Sequence, residues 1–199
     1  QPSRMILRSL ERQPLRAALT VLGIASSCAI LIMGLFFTDS FNYVLRVQYG
    51  LVQREDLTIA FNQPTSTRAV HELASLPGVL HAEPTRAAAV RLRHQHREYD
   101  TAIEGVPPSA YLRRILDRDL EPITIPRDGI VLTERLASIL GAGPGDEITV
   151  EVKEGARRTR QVPVAAITEQ YVGLAAYMDL AALNRLVGAG EAVTGALLM

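Results

Sequence analysis

"LRAALTVLGIASSCAILIMGLFFTD", residues 15–39, decides how the rest of the chain is read. No charged residue stands between Arg16 and Asp39. As a helix, the about 22 uncharged residues cover roughly 33 Å, against a hydrocarbon core of about 30 Å. A soluble helix that is apolar on every face is uncommon and usually shorter. A cleavable signal sequence is the nearer rival, but its apolar region is shorter and a small-x-small site should follow. Here "FFTDSFNYV" follows, with bulky residues where small ones are wanted. Residues 17–38 are therefore expected to form a transmembrane helix.

The flanks give the expected orientation. Arg4, Arg8, Arg12 and Arg16 precede the run, opposed only by Glu11. The positive-inside rule puts this flank in the cytoplasm and everything from Asp39 onward outside, so these four arginines are the topology-determining residues. They recur at every fourth position and share one slowly drifting helix face, with Met5, Ile6, Leu7 and Leu10 on the rest. Residues 1–16 thus read as a short amphipathic basic segment at the inner membrane surface. Pro14 is the break before the span. The plainer alternative is that the arginines fix topology and do nothing else.

Inside the span, Gly23 and Ser27 are four apart, as are Ala25 and Ala29. Small residues at this spacing let a second helix approach, which makes these four the helix-packing candidates. Beyond Asp39, Phe41, Val44, Leu45 and Val52 recur at helical spacing. Residues 39–54 read as a stalk continuing the helix, with Gly50 as its weak point or end. An ordinary linker would be richer in Gly, Ser and Pro.

Composition excludes more than it selects. The chain has 199 residues, 48% hydrophobic, with a formal net charge of zero. That suffices for one or two domains and gives no electrostatic footprint for nucleic acid. The single cysteine, Cys28, lies in the apolar run, so neither an intramolecular disulfide nor a cysteine zinc cluster is possible. Lys153 is the only lysine among many arginines, a bias of genome composition. The chain begins with Gln1 and ends in "AVTGALLM", a strand-like stretch. It is expected to be an excerpt of a longer protein, truncated at the C-terminus.

Residues 55–199 read as an extracytoplasmic α+β domain, a small sheet with helices on one face joined to a smaller β-rich part. "DLTIAF" alternates Leu57, Ile59 and Phe61. "QPTSTRAVHELASLPGV" reads as a helix capped by Thr65 or Ser66, with Val70, Leu73 and Leu76 buried and Pro77-Gly78 as its stop. Two strands pairing across His94-Gln95-His96 follow. "PPSAYLRRILDRDL" reads as a short helix capped by Ser109. Then come a strand, a helix started by Thr133 with Leu136, Ile139 and Leu140 inward, and a hairpin turning at Glu154-Gly155. A last helix has Asp179 at its cap and Gly188 beyond its end. "VTGALLM" begins another strand. The α+β part is assigned to about 55–108 and 168–199, and the β-rich part to about 120–167.

Candidate chemistry is thin. "GAGPGD", residues 141–146, looks like a phosphate cradle, but a helix precedes it, a strand follows, and the lysine of a P-loop is missing. His94 and His96 share a strand face, yet Arg91, Arg93 and Arg97 would repel a cation, so they read as a solvated hairpin tip. His71 and His81 have no evident partner. The pairs Asp117 with Asp119 and Glu98 with Asp100 stand beside arginines and read as solvated ion pairs. No Ser-x-x-Lys, Gly-x-Ser-x-Gly or His-Glu-x-x-His pattern occurs. No catalytic, cofactor-binding or metal residue is assigned, and no cofactor is expected.

The order of features resembles a known family. "RSLERQPLRAALTVLGIASSCAILIMGLFF" is similar to the entry into the first helix of FtsX-like and MacB-like ABC transporter permeases. "LASLPGVLHAEP", "DGIVLTERLASILGAGPGDEITVEV" and "VPVAAIT" are similar in order and spacing to that family's extracytoplasmic core domain. The resemblance implies a membrane subunit in the bacterial cytoplasmic (inner) membrane whose ABC ATPase is a separate chain or domain. It implies other transmembrane helices of the same permease, a dimeric assembly, and a periplasmic or cell-surface partner. Members of the family transmit motion from the ATPase to the outer domain. This copy is the first or the second outer domain of a longer permease. The rival class is a single-pass anchored sensor, binding or scaffold domain with no ATPase partner. A membrane-bound hydrolase is a distant third.

Overall fold

The computed structural model describes residues 14–116, 120–168 and 174–199. Arg4, Arg8 and Arg12, and the Asp117/Arg118/Asp119 group, lie outside the described residues. The chain divides into two units, Gln1–Arg46 and Val47–Met199.

The first unit is helix α1, which runs Pro14–Val47. Pro14 takes the first helical position, where its missing N–H costs nothing. At 34 residues the helix is roughly 50 Å long, and it passes Asp39 without a break. Its large apolar residues, from Leu15 through Phe41, are exposed. The hydroxyls of Thr20, Ser27 and Thr38 each donate to the carbonyl four residues back, at 2.9–3.0 Å. Polar groups on an otherwise greasy helix are thereby satisfied without water. By length and composition the helix can cross a bilayer.

The second unit opens with a π-helical turn, Gln48–Val52, which contains Gly50. The strands and helices that follow are β1 (Leu57–Ser66), α2 (Arg68–Ala74), β2 (Ala82–His94), β3 (Arg97–Val106), β4 (Ile130–Thr133), α3 (Glu134–Leu140), β5 (Glu147–Val152), β6 (Thr159–Thr168), β7 (Ala176–Asp179), α4 (Leu180–Val187) and β8 (Ala192–Leu198). This is the mixed α/β domain expected after the apolar helix.

Two sets of strands share β2. Its first part, Ala82 to Thr85, pairs with β8, which also pairs with β1. Its second part pairs with β3 on one side and β5 on the other. Because β3 pairs with β7, β7 with β4, β4 with β6 and β6 with β5, the pairing closes into a six-stranded ring. Alternation produces this locally. In β2 the residues Arg86, Ala88, Val90 and Leu92 are buried, while Ala87, Ala89 and Arg93 are exposed. Ile148, Val150 and Val152 do the same in β5. The short β4 and β7 are buried at every position, as central strands are. Leu136 and Leu140 of α3 and Leu183 of α4 complete this core. A smaller core holds Val70 of α2 against Val193, Ala196 and Leu198 of β8.

Several local expectations are corrected. The segment 107–116 is not a Ser109-capped helix; it is turns and bridges, held by partners described below. The cap of α2 is Thr67, not Thr65 or Ser66, because β1 runs on to Ser66 across a bulge containing Pro64. A bulge accommodates Pro64, which has no N–H to give to a ladder. Leu76 is 50% exposed and Ile139 37% exposed, so neither belongs to a buried stripe. Ala137 is buried in place of Ile139. The caps at Asp179, Gly141 and Gly188 are as expected, with Ala182 N–H donating to Asp179 Oδ1 at 2.9 Å.

Candidate functional site

Among the described residues no three His, Cys, Asp or Glu side chains are grouped to hold a metal ion. The residues that do converge form a clasp just after the π turn. Gln53 and Arg113 form an antiparallel bridge. Arg54 N–H donates to Leu112 O at 2.8 Å, and Arg114 N–H donates to Val52 O at 2.9 Å. Residues 52–54 are thus strapped to 112–114 as a miniature ladder. Asp56 N–H donates to Leu198 O at 2.9 Å, which ties the same stretch to the end of β8.

Side chains reinforce the strap. Glu83, buried in β2, accepts the N–H of Tyr111 at 2.6 Å and that of Leu112 at 3.1 Å. An ionised carboxylate taking two backbone donors is among the stronger hydrogen-bonded arrangements. It also explains why this segment is not a helix: two of its N–H groups are committed elsewhere. His81 Nε2 lies 3.1 Å from Glu83 Oε1, and its ring meets Tyr111 edge-on at 5.9 Å. Arg54 Nη2 donates to the Tyr111 hydroxyl at 2.7 Å, and its guanidinium stands 4.1 Å from that ring's centre. Such cation–π contacts favour arginine over lysine. Arg113 donates through Nε and Nη2 to the buried Glu55 and lies 3.7 Å from Glu104 of β3. Beneath these groups Val47 and Val52 pack on Leu116. Thr168, at the end of β6, donates its hydroxyl to Leu116 O at 2.6 Å. The clasp therefore joins the chain emerging from the π turn to β2, β3 and β6. It has no nucleophile paired with a base. What it can do is mechanical: carry a displacement of residues 47–56 into the strands.

Nothing local in the sequence marks this site. Its pairs lie 28, 57 and 58 residues apart, and only the opposite charges of "RED" and "YLRR" hint at them.

The residues singled out from sequence fall elsewhere. Arg16, Gly23, Ala25, Ser27 and Ala29 are exposed on α1, and Ser27 turns its hydroxyl back to Gly23 O. The reading of His94 as a solvated tip is corrected: its Nδ1 sits 3.2 Å from Leu140 O and its ring is largely covered. His96 stays exposed. His71 has a partner, Thr67 O, at 3.0 Å. Asp100 pairs with Arg91 at 2.8 Å and Lys153 at 2.5 Å; Arg97 instead reaches the carbonyls of Ser138 and Ile139. The hydrogen bond from Arg91, then that from Lys153, holds the Asp100 carboxyl well below the usual carboxylate range. "GAGPGD" is a helix cap and turn, with Gly143 N–H donating to Asp146 Oδ2 at 2.8 Å.

No curated protein matches the chain by sequence. Two solved structures are similar to it. One is the extracellular domain of the noncanonic ABC-type transporter YknZ from Gram-positive bacteria, 13% identical, covering 72% of this chain and 83% of that one, with a TM-score of 0.48. The other is the periplasmic region of MacB from Actinobacillus actinomycetemcomitans, 11% identical, covering 71% and 72%, with a TM-score of 0.47. The family model of the MacB-like periplasmic core domain matches residues 17–196, from the apolar helix to the last strand. The chain therefore belongs to the MacB-like periplasmic core domain family.

Proposed function

We propose that this chain is part of the membrane permease subunit of an ABC transporter of the FtsX, MacB or lipoprotein-release type. Residues 17–38 span the inner membrane, with Arg4, Arg8, Arg12 and Arg16 on the cytoplasmic side and the domain from Val47 outside. ATP hydrolysis belongs to a separate ATPase subunit. Its motion reaches the outer domain through the helix, for export or for mechanotransmission to an outer partner. Gly23, Ala25, Ser27 and Ala29 form the face on which other transmembrane helices of a dimeric assembly pack.

One observation carries this reading: the family match takes in the apolar helix and the strand domain together. The clasp adds a physical route, since a pull on residues 52–56 meets hydrogen bonds and ion pairs, not a slack linker.

Thiol labelling tests the topology. With Cys28 replaced by serine and Gly145 by cysteine, a membrane-impermeant maleimide should label intact spheroplasts. Labelling only after lysis overturns the orientation. Co-purification tests the coupling: an ATPase chain should accompany the protein, and its turnover should change in the Arg113→Ala variant. A protein purified without any ATPase, whose outer domain stays fully active, would be the single-pass sensor.

A further inference from the structure

A cleft lies at the end of the domain away from the clasp. β1 starts at Leu57, beside the end of β8, and runs to Ser66; β8 returns from Ala192. Thr67, Gly190 and Glu191 therefore gather at the opposite pole from Asp56 and Met199. With α4 they enclose a solvent-open cleft of roughly 610 Å³. That lies within the range of about 300–1,000 Å³ usual for small-ligand sites.

The lining is specific. Leu180 and Ala181 supply an apolar floor, and Arg185 and Glu191 stand in the wall with opposite charges. The Thr67 hydroxyl is already committed to Glu191 O at 3.2 Å. Asn184 is the exception. It lines the cleft, is only 7% exposed, and its Oδ1 has no hydrogen-bond partner. A buried acceptor left unmet costs about 1–3 kcal/mol. An Asn amide turns about its last torsion at little cost, so its oxygen can be presented to the cleft. The group that would satisfy it is an N–H donor. Because Arg185 and Glu191 cancel, the cleft selects neither an anion nor a cation.

We propose that this cleft binds a neutral apolar amide, whose N–H donates to Asn184 Oδ1 and whose apolar body covers Leu180 and Ala181. The amide is either a free small molecule or a segment of peptide chain.

The test uses the full chain in lipid nanodiscs, with empty nanodiscs subtracted. The probes are N-acetyl-leucine methylamide and N-acetyl-N-methyl-leucine dimethylamide, which keeps the apolar body but has no N–H. The first should bind saturably, and the second about tenfold more weakly, the factor one hydrogen bond is worth. Asn184→Leu should erase the difference between the probes without lowering Tm, since it removes an unmet acceptor. Ala181→Trp should abolish binding of both. Equal affinity of the two probes for the unaltered chain, no saturation by either, or persistence of the difference in Asn184→Leu would overturn the proposal. A blocked leucine-centred heptapeptide identifies the source: affinity more than about tenfold above the single residue assigns a peptide segment, and equal affinity a small amide.

Discussion

Arg86 is the most exposed to consequence of any single residue here. It is 1% exposed, and its Nε and Nη1 have no partner; only Nη2 is engaged, with Glu154 at 2.5 Å. Breaking a buried pair strands the remaining charge, at about 3–5 kcal/mol, whereas replacing a buried ion pair by apolar groups is often neutral. Glu154 keeps 30% of its side-chain exposure, so the lower end applies. Glu154→Ala should therefore lower stability by about 3 kcal/mol. Arg86→Met with Glu154→Ala should recover most of it. Urea unfolding of the three forms checks the order, and a double variant no better than the single one would contradict it. Asp100 gives a pH signature without a large energy, because it lies at the surface. Its folded pKa is depressed, so its contribution is present above the unfolded value of about 3.9 and is lost only as pH falls towards the folded one. In carbon-detected NMR the Asp100 carboxyl should stay ionised where Glu98 and Asp146 have begun to titrate.

At the scale of elements, β8 depends on one small residue. A side chain on Gly195 would press its Cβ into the Ile59 carbonyl of β1, with Thr85 of β2 close behind. Gly195→Ala should cost about 1–3 kcal/mol, the usual penalty of overpacking, and loosen β1 first. Hydrogen exchange at Ile59 and Ala60 measures it. In the clasp, Glu83→Ala removes the acceptor from two backbone N–H groups. Protection of the Tyr111 and Leu112 amides should collapse, with a loss of about 2–3 kcal/mol. Unchanged protection at those amides would show that the strap holds without Glu83.

These two sites show what was legible in the sequence. Period-two alternation in "RAAAVRL" and "EITVEV" marks strands because one face of each is buried and the other is not. Asp179 and Gly188 mark a helix because caps are local chemistry. The "YLRR" segment misleads for the complementary reason: its helical look is outweighed by Glu83, twenty-eight residues away, which claims two of its N–H groups. No pattern inside the segment carries that information. The cleft wall was equally hidden, since Thr67 and Asn184 meet only through the topology.

For the whole molecule, the sharing of β2 between the two strand sets has a thermodynamic consequence. Neither set can be dismantled while β2 stays paired in both. Residues 47–199 should melt in one transition, with exchange protection in β4 and in β8 falling together. Two separate transitions would mean that the halves of β2 act independently.

Ring closure also decides where this protein is adhesive. Every strand but one has neighbours on both sides; β1 alone, flanked only by β8, leaves a backbone ladder open. The bulge between Ala60 and Thr65, with Pro64 inside it, interrupts that ladder along its second half. What remains is a short docking rail, Leu57 to Ala60, long enough for one foreign strand and too short for a fibril. Any β-addition to this domain, helpful or harmful, has to begin on those four residues.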